Sequence, residues 1–311
     1  MKEKVLITGG TGLVGEVLTK ILQQEGYQVS FLSRSKKNIE GVEVFQWDIQ
    51  KQTIEQEAIE TADYIVHLAG AGVADHKWTA SYKKEILDSR VLSTKLLYEA
   101  IKKSSNKPKA FLAASAVGIY GFDSGTEFVD ENSPQGNDFL AEVTKEWEKG
   151  TLQVKEICQR VAIFRIGIVL SAKGGALPKI VQPIQFFAGA ALGTGKQYMS
   201  WIHIEDLARM FLFAIKNEQI EGIYNAVANS PATNEEFTKA VAKTLGKPLF
   251  LPNVPSFVLR LMLGEMAVMV TGGNRVSNKK IVESGFRYKF NTLEEALNDL
   301  LNQKQEKYET I

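Results

Sequence analysis

A chain of 311 residues, 44% hydrophobic and 23% charged, is long enough for one large core or two domains and has ordinary globular composition. Its net charge of +1 gives no case for nucleic acid or a polyanionic surface as partner. The one cysteine, Cys158, excludes an intrachain disulfide, and no apolar run approaches the ~18 residues of a membrane span, so a cytoplasmic protein without signal peptide or membrane contact is expected.

Val5, Leu6 and Ile7 form a short run of strand type. Gly9, Gly10, Thr11, Gly12, Leu13, Val14 and Gly15 follow as a glycine-rich turn. Val14, Val17, Leu18, Ile21 and Leu22 then recur at helical spacing, Gly26 lies just beyond, and Val29–Leu32 reads as a second strand. A glycine turn that leaves a strand and opens a helix inside a βαβ unit of about 30 residues is a dinucleotide fingerprint. Gly9 and Gly12 let the backbone approach a pyrophosphate, N–H groups at the helix start hold it, and Gly15 permits close packing.

The segment after the second strand selects the cofactor. A site for the unphosphorylated ribose places Asp or Glu roughly 20 residues past the glycines. Here the residues are Ser33, Arg34, Ser35, Lys36 and Lys37. Ser33 donates a hydrogen bond and Arg34 offers a planar fork to a 2′-phosphate, so NADP(H) is predicted over NAD(H).

A third strand, Val42–Trp47, ends at Asp48, for which two readings stand: acceptor for an adenine amino group, or cap of the next turn. The fourth strand, Tyr64–Leu68, leads into Ala69-Gly70-Ala71-Gly72. Leu68, Ala69 and Gly70 are expected beside the glycine loop, because ligands sit at the carboxyl ends of parallel strands. His67 lies inside the strand and reads as a core histidine. Residues 81–103 form a long helix whose apolar stripe excludes Glu85 and Arg90, which are either a solvated face or a lining of the cofactor crevice. A fifth strand, Ala110–Ala114, precedes Ser115-Ala116-Val117-Gly118-Ile119-Tyr120-Gly121. A helix covers Phe139–Glu148, and a sixth strand, Ile163–Leu170, contains Arg165, which needs a partner. Strands alternating with helices indicate a doubly wound parallel sheet of Rossmann type.

After Leu170 the rhythm changes. Residues 177–192 read as a helix, Gly193-Thr194-Gly195-Lys196-Gln197 as a loop, and Trp201–Leu207 as a strand entering a helix that runs to about Lys216. Tyr224–Val227 follows as a strand, then helices at Asn234–Leu245, Ser256–Leu263 and Thr292–Leu301. The division predicted is a dinucleotide-binding domain over 1–170, also receiving about 201–216. A smaller mixed α/β C-terminal substrate lobe takes 171–200 and 217–302, and 303–311 is a polar tail. His67, His76 and His203 lack metal-ligand spacing, so no metal is expected.

The motifs TGGTGLVG (8–15), HLAG (67–70), SAVGIYG (115–121) and WIHIEDLA (201–208) resemble those of the extended short-chain dehydrogenases/reductases. The resemblance is closer to the subgroup called the epimerase family (39U-like). It rests on the SR pair after the second strand, the E-x-x-x-S-R segment from Glu85 to Arg90, GGAL at 174–177, SWIHIEDL, and a C-terminal segment from Val254 to Leu297. Nearly the whole chain is covered. The resemblance implies an oxidoreductase or epimerase on a small, sugar-like substrate. It also implies a homodimer through the helices at 81–103 and 139–150.

The wider superfamily uses a Ser or Thr with a Tyr-x-x-x-Lys pair, the tyrosine as acid/base and the lysine lowering its pKa. Counting four back from Tyr120 gives Ala116. The helix offers Leu140 with Thr144, Phe139 with Val143 or Ala141 with Lys145, none with a tyrosine. The usual trio is therefore absent on this alignment, and Ser115, Tyr120 and Lys145 are the remaining catalytic candidates. Glu142, Arg165 and His203 are further substrate-side candidates. Arg90 stands where many relatives carry asparagine, and its cation partly replaces the missing lysine near the cofactor. The alternative to an enzyme is an NADP(H)-binding sensor or interaction module without turnover.

Overall fold

The computed structural model describes residues 2–302; the expected polar tail lies outside them. The chain forms two compact units that interleave along the sequence. The first takes the residues up to Ala116 with Phe139–Arg165 and Leu207–Tyr224. The second takes Val117–Asp138, Ile166–Asp206 and the chain from Asn225 onward.

The first unit is built on an eight-stranded sheet. Its spatial order is Gly222–Ala226, Val161–Ile166, Ala110–Ala116, Tyr64–His67, Lys4–Thr8, Gln28–Ser33, Val42–Asp48, Thr53–Ile54. The first strand lies centrally and pairs in parallel with both Gln28–Ser33 and Tyr64–His67, so the strand order reverses across it. Such a reversal opens a crevice at the carboxyl ends of the strands. The inner strands read as continuous apolar runs because helices cover both faces. Val5, Leu6, Ile7, Ile65, Val66, Phe111 and Leu112 are fully buried. The helices are Leu13–Gln24, Ala80–Lys103, Phe139–Gln153 and Ile204–Lys216. Thr79 caps the longest by accepting the Tyr82 N–H at 3.2 Å, and Lys102 and Lys103 stand in its last turn, where the helix dipole favours cations.

One predicted strand is two. Val161–Ile166 stays in the large sheet, whereas Ile168–Leu170 pairs in parallel with Trp201–His203. Gly167 is the joint. A Cβ there would stand 2.2 Å from the Ser200 carbonyl oxygen, so only glycine lets the chain change sheets at this point.

In the second unit, the helix expected over 177–192 is only Ala176–Gln185. It ends in a Schellman motif: Ala188 N–H donates to the Pro183 carbonyl and Phe187 N–H to that of Ile184. Phe187 takes the left-handed position usually given to glycine, at φ 59°. The helix Asn234–Thr244 opens with a reciprocal capping box between Thr233 and Glu236. A parallel pair, Asp123–Val129 with Gly273–Val276, has no counterpart in the sequence reading, because the first strand is polar and mostly exposed. Trp201, Phe237, Val241, Ala296 and Leu297 are fully buried in this unit's core. Among the described residues, no helix is long and apolar enough to cross a membrane, and no group of three or more His, Cys, Asp or Glu side chains is placed to hold a metal.

Candidate functional site

The strand register sets the site. Thr8 pairs with Leu32 on one side and His67 on the other, and His67 pairs with Ala113. The segments that follow these residues therefore leave one edge of the sheet together: Gly9–Gly12, Ser33–Arg34, Leu68–Gly70 and, near the end of its strand, Ser115.

The glycine loop is fixed by its own backbone. Gly12 N–H donates to the Gly9 carbonyl at 2.9 Å, and Gly9 has φ 70°. Gly15 is required for contact with the loop itself rather than with the strand. A Cβ on it would lie 2.5 Å from the Gly9 oxygen and 2.6 Å from Gly10 Cα. Gly12 is the N-cap of the helix Leu13–Gln24 and no side chain caps that end. The first-turn N–H groups of Leu13, Val14 and Gly15 are thus left for an anion, with the helix dipole behind them.

Thr8 and His67 hold the second loop. Thr8 Oγ1 accepts the N–H groups of Leu68 and Ala69, both at 3.1 Å, and lies 2.7 Å from His67 Nδ1. With both lone pairs used, the hydroxyl gives its proton to Nδ1, which leaves the hydrogen on Nε2. Nε2 lies 3.2 Å from both Ser93 Oγ and Thr94 Oγ1, and these hydroxyls donate to the Arg90 carbonyl. Burial, then the charge of Arg90, lowers the His67 pKa to about 3, so the ring stays neutral. His67 is the core histidine expected, and it ties the loop at 68–70 to the backbone of Arg90. Sequence reasoning missed Thr8, Ser93 and Thr94. The only signals were their positions, one residue before the glycines and one turn past Arg90.

Arg90 is half-buried. Its guanidinium donates to the Ile86 carbonyl at 2.8 Å, lies 5.0 Å from the Trp147 ring centre, and would stand 3.1 Å from a Cβ on Gly70. No carboxylate pairs with it among the described residues. A cation without a counter-ion against this loop suits a phosphate or another anion. Glu85 is exposed on a different face of the same helix.

At the third loop, Arg34 is exposed and has no ion pair among the described residues, whereas Lys36 is held by Glu55 at 2.8 Å. The positive charge available there comes from Arg34 and Lys37. Ser33 Oγ is only loosely engaged, 3.5 Å from Ser35 N. For Asp48 the geometry shows the cap: Oδ1 accepts the N–H groups of Gln50 and Lys51, each at 2.9 Å. The Lys51 N–H, ahead of the other contacts, lowers its pKa. A groove of about 440 Å³ beside Thr53–Ile54 and the helix Ala80–Lys103 shares no residue with these loops.

The catalytic candidates all have structural partners. Ser115 donates to Glu148 at 2.6 Å, and Glu148 forms a bidentate pair with Arg165, both contacts 2.9 Å, with all three side chains buried. This pair is the partner Arg165 needed. Lys145 pairs with Glu142 along its helix, and Thr144 donates to the Leu140 carbonyl. In the second unit, Tyr120 is buried and donates to Asn225 at 2.6 Å. His203 packs on Phe290, accepts the Glu205 N–H on Nδ1, and has Nε2 3.4 Å from Asp299.

The family model described as NAD dependent epimerase/dehydratase family matches residues 5–144, and a domain of unknown function (DUF1731) matches 254–300. The crystal structure of human epimerase family protein SDR39U1 (isoform 2) with NADPH superposes with a TM-score of 0.86 at 31% identity, covering 96% of this chain and 99% of that one. A nucleoside-diphosphate sugar epimerase from Corynebacterium glutamicum gives 0.77 at 33%, covering 99% of this chain and 61% of that one. Epimerase family protein YfhF of Bacillus subtilis (strain 168) is 37% identical over 299 residues, 96% of this chain and 97% of its own length. The human and Bacillus subtilis proteins each match at more than 30% identity over nearly the full length of both chains, and the chain belongs to the epimerase family.

Proposed function

We propose that this protein binds NADP(H) and works as an oxidoreductase or epimerase on a small, sugar-like substrate. The observation that carries the cofactor choice is Arg34, exposed and without an ion pair among the described residues, just past the strand Gln28–Ser33 and with no acid beside it in sequence. In this reading the N–H groups from Gly12 to Gly15 hold the pyrophosphate. Ser33 and Arg34 hold the 2′-phosphate, the Leu68–Gly70 turn lies against the dinucleotide, and Arg90 supplies a cation close to that turn. The bound cofactor supplies the hydride. NADPH in the crystal structure of human SDR39U1 supports the same choice.

A second reading is binding without turnover. It is favoured by the engagement of Ser115 with Glu148 and by the lack of any tyrosine in the helix Phe139–Gln153. General acid catalysis alone is worth about 10²–10⁴-fold, so its loss is a large handicap.

Calorimetric titration of wild type and Arg34→Ala with NADPH and NADH tests the cofactor. Wild type is expected to prefer NADPH, and the variant to lose roughly tenfold or more of that preference, because charge-assisted bonds contribute about 1.5–3 kcal/mol. A tenfold NADH preference in wild type would sink the reading. Stereospecific hydride exchange with a panel of carbonyl sugars separates turnover from binding alone.

A further inference from the structure

We propose that the second unit carries a self-association face on which a second copy of this chain docks, a role independent of the dinucleotide site. Residues 186–193 run beside 247–254. The Lys247 ammonium lies 4.6 Å from the centre of the Phe187 ring, Val254 N–H donates to the Ala191 carbonyl, and Gly193 N–H donates to that of Val254. The helix Ser256–Leu263 follows directly.

Large apolar side chains project from this stretch into solvent. Leu261 is 87% exposed, Phe186 75%, Phe257 72% and Phe250 71%, with Met262 and Phe187 also at least half exposed. Phe257 and Leu261 are one turn apart and share a helix face, while Leu259, on the opposite side, is buried. Phe187 stands in the left-handed region, uncommon for a bulky side chain, and this turn leaves two adjacent phenylalanines outside.

The area identifies the occupant. At about 150–250 Å² for an aromatic side chain and somewhat less for Leu or Met, these groups expose roughly 650–900 Å² of mostly apolar surface. The largest apolar patch on a typical monomer is about 300–600 Å². A stable interface buries about 800 Å² per partner, so one copy of this face matched to another meets the requirement of a two-fold dimer. A net charge of +1 sets little repulsion against self-association.

The test is sedimentation equilibrium of the full chain from low-micromolar to hundred-micromolar concentration. Wild type is compared with Leu261→Glu, Phe257→Glu and a control, Leu152→Glu, on the helix Phe139–Gln153. The expected result is a wild-type dimer whose dissociation constant rises roughly tenfold or more in each of the first two variants, as for residues near the centre of an interface, and is unchanged in the control. Both sites are exposed, so the variants are expected to keep the wild-type melting temperature; if one misfolds, the other still decides. The proposal is overturned by a wild type that stays monomeric, by an unchanged dimer in both variants, or by a dimer lost only in the control. Co-sedimentation of a monomeric wild type with phosphatidylcholine/phosphatidylglycerol vesicles would overturn it in favour of a lipid surface.

Discussion

Gly15 shows how much one missing methyl group determines. In Gly15→Ala the new Cβ meets three backbone atoms of the glycine loop within 2.6 Å, and backbone cannot swing aside as a flexible side chain can. The substitution is expected to destabilise the fold by about 1–3 kcal/mol, read as a lower urea midpoint, and to weaken NADPH binding in the same calorimetric titration. His67 makes a different prediction. Its folded pKa is about 3 against an ordinary 6.5, so between those values the unfolded chain takes up a proton that the folded chain refuses. Stability therefore falls as pH drops below 6.5, by about 2 kcal/mol at pH 5. Burial lowers His203 as well, which acts in the same direction. Carboxylates with lowered pKa, such as Asp48 and Glu236, lose their stabilising effect only at lower pH. Urea unfolding at pH 7 and pH 5 should show the loss in wild type and a smaller one in His67→Gln. An equal loss in both would remove His67 as its source.

At the scale of elements, the buried Glu148–Arg165 pair joins the helix Phe139–Gln153 to the strand Val161–Ile166, and Ser115 joins the end of the strand Ala110–Ala116 to the same carboxylate. Burying two charges is costly, and the bidentate geometry with the added hydroxyl offsets that cost. Arg165→Met leaves the carboxylate without its counter-ion and is expected to destabilise by about 3–5 kcal/mol. Adding Glu148→Leu removes the stranded charge and should recover most of the loss. A double variant no more stable than Arg165→Met would show that packing around the arginine stem, not charge, sets the effect. Chemical denaturation of the two variants beside wild type gives the comparison.

For the whole molecule, the glycine loop, Arg34 and Arg90 all belong to the first unit, whereas Tyr120 and His203 belong to the second. A ligand that binds the folded chain at about 100 times its dissociation constant stabilises by about 2.7 kcal/mol. Scanning calorimetry with NADPH should therefore raise the transition that contains the first unit, and Arg34→Ala should reduce that rise. No rise at saturating NADPH would count against the cofactor reading as a whole.

The sequence alone determined the βαβ unit, the alternation of strand and helix that builds the parallel sheet, and the helix that opens at Asn234, whose cap the structure assigns to Thr233. Each is set by local periodicity, glycine placement or a short-range hydrogen bond, so neighbours along the chain suffice. The family was legible too, because its motifs are contiguous. What only the tertiary structure decided depends on partners far apart in sequence. Arg165 was visibly in need of a partner, but nothing local marks Glu148, 17 residues away, as that partner. Lys36 reads as free positive charge until Glu55 is folded against it. Asp48 reads equally as ligand or cap until its turn closes on Oδ1. Ser115 reads as a free hydroxyl until Glu148 is folded against it. The strand break at Gly167 and the polar strand Asp123–Val129 arise from pairing with distant segments, and hydrogen bonds between distant strands leave no period in the sequence.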